Sequence, residues 1–106
     1  MSPNIEKVRL FASLANEFRL DILSIIIERE ASVNELSAML GKSQSSVSQH
    51  LGKLRQENLV TTRRDAQTIY YLCQDPRVSR ILAVLDNLLS DDLVSRTAVS
   101  AGLLSA

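Results

Sequence analysis

The chain has 106 residues, with 12 Lys and Arg balanced by 12 Asp and Glu, one Cys and one His. This length fits one small domain, and the neutral total argues against a protein that coats a polyanion over its whole surface. One Cys excludes an intramolecular disulfide, and one Cys with one His is too few for a structural zinc site. We therefore expect neither a metal nor a cofactor.

The N-terminal region does not resemble a signal peptide, because Glu6, Lys7 and Arg9 interrupt any apolar run there. No stretch of the chain reaches the ~20 consecutive apolar residues that a membrane-spanning helix needs. We expect a soluble, cytoplasmic protein with no membrane partner.

Two helices are predicted in the first part of the chain. Pro3 suits the start of a helix from about Asn4 to Ala15, which has apolar residues at helical spacing. Asn16 is a suitable N-cap for a second helix, and this helix is apolar on nearly every side. A helix of that kind is expected at the centre of the fold.

The next segment predicts two short helices joined by a tight turn. Ser32 and Glu35 have the spacing of a capping box at the start of helix 3, and Gly41 suits its left-handed C-terminus. Ser43 is the natural N-cap of helix 4. Two short helices joined by a turn of about three residues containing glycine are typical of a helix-turn-helix.

Helix 4 has one apolar side and one uncharged polar side. Val47, Leu51 and Leu54 recur at helical spacing and are expected to face the core. No charged residue occurs from position 44 to position 52, which is unusual for a face that is merely solvated. Small hydroxyls and amides suit base edges and phosphates. The polar side consists of Ser45, Ser48, Gln49, Gly52 and Gln56.

A basic β-hairpin is predicted after helix 4. Leu59–Thr62 and Gln67–Leu72 are rich in β-favouring residues, and positions 63–66 are expected to form the charged tip between them. From Lys42 to Gln67 there are five basic and two acidic residues, so this segment has a net charge of 5 − 2 = +3. A basic patch on a neutral body suits local contact with DNA.

A fifth helix is expected to begin at Asp75-Pro76 and to carry a long apolar stripe. This stripe is more than a small domain can cover, so we expect helices 1 and 5 to form a homodimer interface; an ordinary intramolecular core stripe is the alternative. Residues 1–90 would form the domain, and residues 91–106 a tail that is either loosely helical or frayed. The residues assigned to the dimer interface are Val8, Phe11, Ile81, Leu82, Leu85, Leu88 and Leu89.

Several single residues have both an ordinary and a special interpretation. His50 is interpreted as a packing or phosphate-side residue rather than a metal ligand or general base. Cys73, at the end of the hairpin, is more typical of a small apolar filler than of a redox sensor. Strand alternation places Tyr70 and Tyr71 on opposite faces, with Tyr71 expected in the core and Tyr70 undecided.

Three segments resemble the ArsR/SmtB family of bacterial winged-helix repressors: LANEFRLDIL (14–23), VNELSAMLGKSQSSVSQHLGKLRQENLV (33–60) and TRRDAQTIYYL (62–72). The resemblance implies a mainly helical fold with a small β-hairpin, a winged helix-turn-helix in which four helices precede the hairpin and a fifth follows it. It also implies a homodimer through helices 1 and 5, with helix 4 in the major groove of DNA.

The same resemblance assigns roles to individual positions. Gln44, Ser45, Ser48 and Gln49 match base-reading positions, while Lys53 and Arg55 match contacts to the DNA backbone. We add the hydroxyls of Ser43 and Ser46 as further backbone contacts. The wing positions are matched by Arg63, Arg64 and Gln67.

The chain departs from the metal-sensing members of the family. Those members carry cysteines on helix 3, where this chain has Ser32, Val33 and Asn34, and none of these side chains replaces a thiolate. The acidic residues Asp86 and Asp91 on helix 5 have no histidine partner. Metal sensing is therefore not expected, and a lone Cys73 excludes a dithiol switch within one chain.

We accordingly expect a sequence-specific regulator of transcription that binds double-stranded DNA as a homodimer, most simply a repressor at an imperfect inverted repeat. An enzyme is not expected, because no carboxylate pair or Cys/His pair stands in an apolar setting. The alternative is a winged-helix dimerisation or protein-interaction module without DNA specificity of its own. No residue pattern identifies a small-molecule effector.

Overall fold

The computed structural model describes the backbone of residues 3–100 and the side chains of residues 3–90. The element order is that of a winged helix-turn-helix, as predicted, with one additional short strand. The elements are α1 (Pro3–Leu14), α2 (Glu17–Ile26), β1 (Ala31–Ser32), α3 (Val33–Leu40), α4 (Gln44–Gln56), β2 (Thr61–Asp65), β3 (Thr68–Leu72) and α5 (Pro76–Ser100). The chain divides into two units at the junction between Asp75 and Pro76.

Helix α2 lies at the centre of the first unit, as its apolar composition predicts. The side chain of Asn16 caps it by accepting a hydrogen bond of 2.9 Å from the backbone N–H of Arg19. Ile22, Leu23 and Ile26 are completely buried. The core around them also contains Leu14, Ala31, Leu36, Val47, Leu51, Leu54, Leu59 and Val60.

The turn between α3 and α4 has the predicted capping chemistry. At the start of α3, the Ser32 hydroxyl accepts from the N–H of Glu35 at 3.1 Å, and the Glu35 carboxylate accepts from the N–H of Ser32 at 3.0 Å. Gly41 ends α3 with φ of 64°, in the left-handed region that glycine enters without steric cost. Ser43 is the N-cap of α4.

The hairpin belongs to a three-stranded antiparallel sheet in the order β1-β3-β2. Strand β1 was not predicted, because two residues carry no periodicity and their pairing with β3 is long-range. Ala31 lies opposite Tyr71, and Ser32 lies opposite Tyr70. Because successive residues of a strand alternate, the two tyrosines face opposite sides of the sheet, as predicted. Both side chains are half-buried, so the prediction that Tyr71 belongs to the core is wrong.

The predicted position of the hairpin turn is also wrong. Arg63, Arg64 and Asp65 lie within β2, and the turn consists of Ala66 and Gln67. The reason is conformational, since Ala66 adopts a left-handed φ of 55° that sequence rules reserve for Gly, Asn or Asp. The shift places the two arginines in cross-strand register instead of at the tip.

Helix α5 begins at Pro76, as predicted, and continues without a break to Ser100. Residues 91–100 form neither the separate sixth helix nor the frayed tail that the sequence predicts, because α5 continues through them. Residues 101–106 lie outside the described part of the chain.

Candidate nucleic-acid interface

Three leucine and valine side chains fix the orientation of α4. Val47, Leu51 and Leu54 are completely buried, in agreement with the predicted core face. Because side chains on a helix are separated by about 100° per residue, anchoring this face directs the opposite one outward.

The outward face of α4 carries only neutral hydrogen-bonding side chains. Gln44, Ser45, Ser48 and Gln49 are all exposed, and no charged residue lies between positions 44 and 52. A glutamine amide can both donate and accept, which matches the adjacent donor and acceptor atoms of adenine in the major groove. Hydroxyls are short enough to let the helix backbone approach a base edge or a phosphate.

The N-terminus of α4 combines a serine cap with backbone N–H groups that have no intrahelical acceptor. The Ser43 hydroxyl accepts from the N–H of Ser46 at 3.1 Å, and the Ser43 and Ser46 hydroxyl oxygens lie 2.9 Å apart. Of these two residues, both predicted to contact the DNA backbone, Ser43 caps the helix and donates its hydroxyl proton to the Ser46 hydroxyl. The N–H groups of Gln44 and Ser45 belong to the first turn of α4, which has no intrahelical acceptors and therefore suits an approaching phosphate.

Two basic residues flank the polar face on the C-terminal half of α4. Lys53 and Arg55 are exposed, and within the described part of the chain neither side chain has an acidic partner. Two residues along a helix correspond to a rotation of about 200° around its axis, so the side chains of Lys53 and Arg55 lie on opposite sides of α4. Positive charge therefore flanks the outward face of α4 on both sides.

Arg63 takes part in an ion pair that sequence analysis did not predict. Its guanidinium donates to both carboxylate oxygens of Glu30, at 3.0 and 2.5 Å, and its Cζ lies 4.8 Å from the ring centroid of Tyr70. The hydrogen bonds from Arg63 lower the pKa of Glu30, and those to Glu30 raise the pKa of Arg63. Arg63 therefore ties β2 to the segment before β1.

The side chain of Arg64 lies on the opposite face of β2 from that of Arg63, because successive side chains of a strand alternate. It is exposed and lies opposite Ile69, and in the described residues it has no acidic partner. Ile69 and Tyr71 line a groove of about 340 Å³ between the hairpin and α4. Ser48 of α4 and Gln67 of the hairpin turn line the same groove, which brings base-reading and wing candidates together.

A buried arginine connects the end of α1 to α4. Arg19, only 9% exposed, donates from Nε to the carbonyl of Ser13 at 2.7 Å and from Nη2 to that of Ala12 at 3.0 Å. Its Nη1 lies 3.3 Å from Nδ1 of His50, whose ring is 4.6 Å from that of Phe18. Because a guanidinium only donates, His50 accepts at Nδ1 and carries its proton on Nε2.

This arrangement supports the packing role predicted for His50, whereas the buried contact that Arg19 makes with it was not predicted. The available signal was one charged residue among the apolar residues of α2. Burial, followed by the charges of Arg19 and Lys53, lowers the pKa of His50. The neutral imidazole is therefore the form that the fold accommodates.

We predict that the protein loses stability as the pH falls below about 6.5, the usual pKa of histidine. The folded-state pKa is the lower one, so the unfolded chain binds more protons in this range and unfolding becomes more favourable. Urea unfolding at about pH 7 and about pH 5.5 measures the difference, and His50→Asn should largely remove it. NMR titration of the single imidazole provides the check, and a pKa at or above 6.5 would contradict the prediction.

Cys73 is buried, and its backbone N–H donates to the carbonyl of Ile26 at 2.9 Å. Burial raises the pKa of its thiol, which keeps it protonated and poorly nucleophilic. These features fit the role of an apolar filler between the end of β3 and α2.

Two helices expose large apolar side chains. On α1, Ile5, Val8 and Phe11 are 43%, 63% and 60% exposed. On α5, Leu85, Leu88 and Leu89 are 43%, 58% and 65% exposed, while Ile81 and Leu82 are half-buried. On each helix, exposed large apolar side chains at helical spacing are typical of surfaces that associate with another protein.

Within residues 3–90, no group of three or more His, Cys, Asp or Glu side chains is close enough to hold a metal ion. No helix of the described residues is both long and apolar enough to cross a membrane.

The sequence of this chain is similar to a known protein family and to several known proteins. The family model for bacterial regulatory proteins of the arsR family matches residues 16–62. The chain is 48% identical over 81 residues to the nodulation protein NolR of Rhizobium meliloti, covering 76% of this chain and 66% of NolR, slightly under two thirds. It is 44% identical over 81 residues to the transcriptional activator HlyU of Vibrio cholerae, covering 76% of this chain and 75% of HlyU. The chain belongs to the arsR family.

Several solved structures have the same fold as this chain. NolR from Sinorhizobium fredii superposes with a TM-score of 0.77 at 42% identity, covering 83% of this chain and 93% of that one. The transcriptional repressor BigR from Xylella fastidiosa gives a TM-score of 0.75 at 30% identity, covering 80% and 87%. The winged helix-turn-helix domain of Mb0332 from Mycobacterium bovis, described as homodimeric and DNA-binding, gives 0.72 at 27% identity, covering 81% and 80%. These matches confirm the resemblance and the winged helix-turn-helix fold.

Proposed function

We propose that this arsR-family protein is a cytoplasmic, non-enzymatic transcriptional repressor that binds double-stranded DNA as a homodimer. The observation that carries the proposal is the exposed face of α4, which has hydrogen-bonding side chains and no charge. Basic residues without acidic partners in the described part of the chain flank this face. This division suits base reading at the centre and phosphate contact at the edges.

A symmetric dimer is supported by the apolar side chains that α1 and α5 expose, including Val8 and Phe11 on α1. Mb0332, which shares the fold, is homodimeric. Two recognition helices related by a twofold axis enter successive major grooves ~34 Å apart. The expected operator is therefore an imperfect inverted repeat.

We assign direct base reading to the exposed face of α4, with Gln49 as the main contact and Gln44, Ser45 and Ser48 beside it. Lys53 and Arg55 contact the DNA backbone on either side, together with the hydroxyls of Ser43 and Ser46. In the wing, Arg64 and Gln67 face the DNA. Arg63 stabilises the position of β2 through its ion pair with Glu30.

Replacing Gln49 with alanine is expected to relax base preference at one position in each half-site. A bidentate amide contact is worth about 1–3 kcal/mol of discrimination, which this substitution removes. The measurement is operator affinity for a set of duplexes that differ at single positions. An unchanged preference at every position would show that Gln49 does not read a base.

Arg64→Ala is expected to weaken binding to all duplexes and to reduce the salt slope by about one for each phosphate that Arg64 neutralises. Arg63→Ala is the matched comparison, because it removes the neighbouring arginine whose charge is already paired with Glu30. We expect a smaller change in its salt slope. Equal changes in the two variants would contradict the separation of roles in the wing.

The test of the proposal as a whole is selection of bound sites from random duplexes, followed by sequencing. We expect an inverted repeat to be enriched, and bound complexes to contain two protein chains. No enrichment, with binding that disappears at physiological salt, would instead favour a winged-helix dimerisation or protein-interaction module.

HlyU is named an activator and BigR a repressor, so the direction of regulation needs its own test. A reporter driven by a promoter that contains the selected site should lose expression when the protein is present, since bound protein blocks polymerase. Increased expression would assign the role of an activator.

A further inference from the structure

A basic cavity lies between α1, the start of α2 and the C-terminal half of α4, all within the first unit. Its volume is about 380 Å³. That value is near the lower end of the ~300–1,000 Å³ typical of small-molecule sites. The polar side chains that line it are those of Arg9, Ser13, Arg19, Lys53, Gln56 and Glu57.

The lining contains three cations and one carboxylate. Arg9 pairs with Glu57 at 2.9 Å, but their side chains are 62% and 34% exposed, so the pair is weak and can rearrange at little cost. Lys53 has no acidic partner among the described residues. The cavity lining therefore has an excess of positive charge.

Arg19 adds directed donors to this charge. A guanidinium has five N–H bonds, and the carbonyls of Ser13 and Ala12 and the imidazole of His50 account for three of them. In the described part of the chain, two N–H bonds remain on a side chain that is almost fully buried and lines the cavity. The remaining N–H bonds are one on Nη1 and one on Nη2, and a charged donor of this kind suits a phosphate oxygen.

The cavity lies beside the exposed apolar residues of α1. Arg9 is about 100° around the helix from Val8 and about 40° from Ile5. Lys53 and Gln56 connect the cavity to the flank of the recognition helix.

We propose that this cavity binds a phosphate group through Arg9, Arg19 and Lys53, and that its occupant is a small phosphorylated molecule that weakens DNA binding. The regulatory part rests on the proposed function, since the ligand withdraws Lys53 from the DNA backbone. The binding part does not, because it is measurable without DNA.

The first experiment titrates the intact protein with inorganic pyrophosphate at constant ionic strength and follows backbone amides and arginine Nε–H signals by NMR. We expect saturable shifts at Arg9, Arg19 and Lys53. Arg9→Gln and Lys53→Gln should each weaken binding about 10-fold or more, since a charge-assisted hydrogen bond contributes that much. Arg29→Gln is the matched control and should leave the affinity unchanged, because this exposed arginine pairs with Glu35 outside the cavity.

The second experiment measures operator binding with and without pyrophosphate, against chloride at equal ionic strength. We expect pyrophosphate to weaken binding more than chloride, and Arg9→Gln to remove the difference. Absence of saturable shifts, or equal affinity of all three variants for pyrophosphate, would overturn the site. If Arg9→Gln instead reduces the DNA salt slope while pyrophosphate fails to bind, the phosphate is that of the DNA backbone and the small-molecule assignment is overturned.

Discussion

Introduction of glutamate at Ser45 is expected to reduce operator affinity about 100-fold while leaving the fold intact or slightly stabilised. Ser45 is exposed in the first turn of α4, at the end that we propose approaches DNA phosphates. A like charge placed at such an interface costs several kcal/mol, which corresponds to at least two orders of magnitude in affinity. Fluorescence anisotropy with a labelled operator measures the loss.

The stability of the same variant should change in the opposite direction. A carboxylate in the first turn interacts favourably with the helix dipole, by about 0.3–1 kcal/mol, so thermal unfolding should occur at the same or a higher temperature. Ser24→Glu, at an exposed position of α2, is the control for added negative charge, and it should reduce operator affinity only a few-fold. If Ser45→Glu binds DNA as tightly as Ser24→Glu, the N-terminus of α4 does not face DNA.

Leu51→Ala is expected to lower the free energy of unfolding by about 2–5 kcal/mol. Leu51 is completely buried in the centre of α4, and its removal leaves a cavity beneath the recognition helix. The total free energy of unfolding of a native protein is only about 5–15 kcal/mol, so the variant should be partly unfolded at moderate temperature. Urea unfolding at a fixed protein concentration measures the change, since dimerisation contributes to stability.

Gln56→Ala is the control on the same helix, because its side chain is exposed and alanine has a high helix propensity. We expect its stability to lie within about 0.5 kcal/mol of the wild type. If Leu51→Ala lowers the free energy of unfolding by less than about 1 kcal/mol, α4 is not anchored through the face that contains Leu51.

The helix-turn-helix could be predicted from sequence because its signals are local. The capping box of Ser32 and Glu35, the left-handed Gly41 and the cap at Ser43 each depend on residues three or four positions apart. The polar face of α4 follows from helical periodicity in the same way. Periodicity therefore identifies Ser45, Ser48 and Gln49 as outward-facing, whereas the base-reading role of these residues and of Gln44 is implied by the family resemblance.

The missed features depend on contacts between residues far apart in the chain. The Arg63–Glu30 ion pair joins positions separated by 33 residues, and the Arg19–His50 contact joins positions separated by 31. Strand β1 exists only because β3 pairs with it. The hairpin turn was misplaced for a different reason, because Ala66 adopts a conformation that its residue type disfavours.

Under the proposed function, the lack of charge on the outward face of α4 has a consequence for the search for an operator on a chromosome. Random DNA would be held mainly by Lys53, Arg55 and Arg64, through counterion release that weakens steeply with ionic strength. The glutamine and serine contacts are short-range and largely independent of salt. Raising the salt concentration should therefore loosen the protein from bulk DNA more than from its operator, so that discrimination improves as overall occupancy declines.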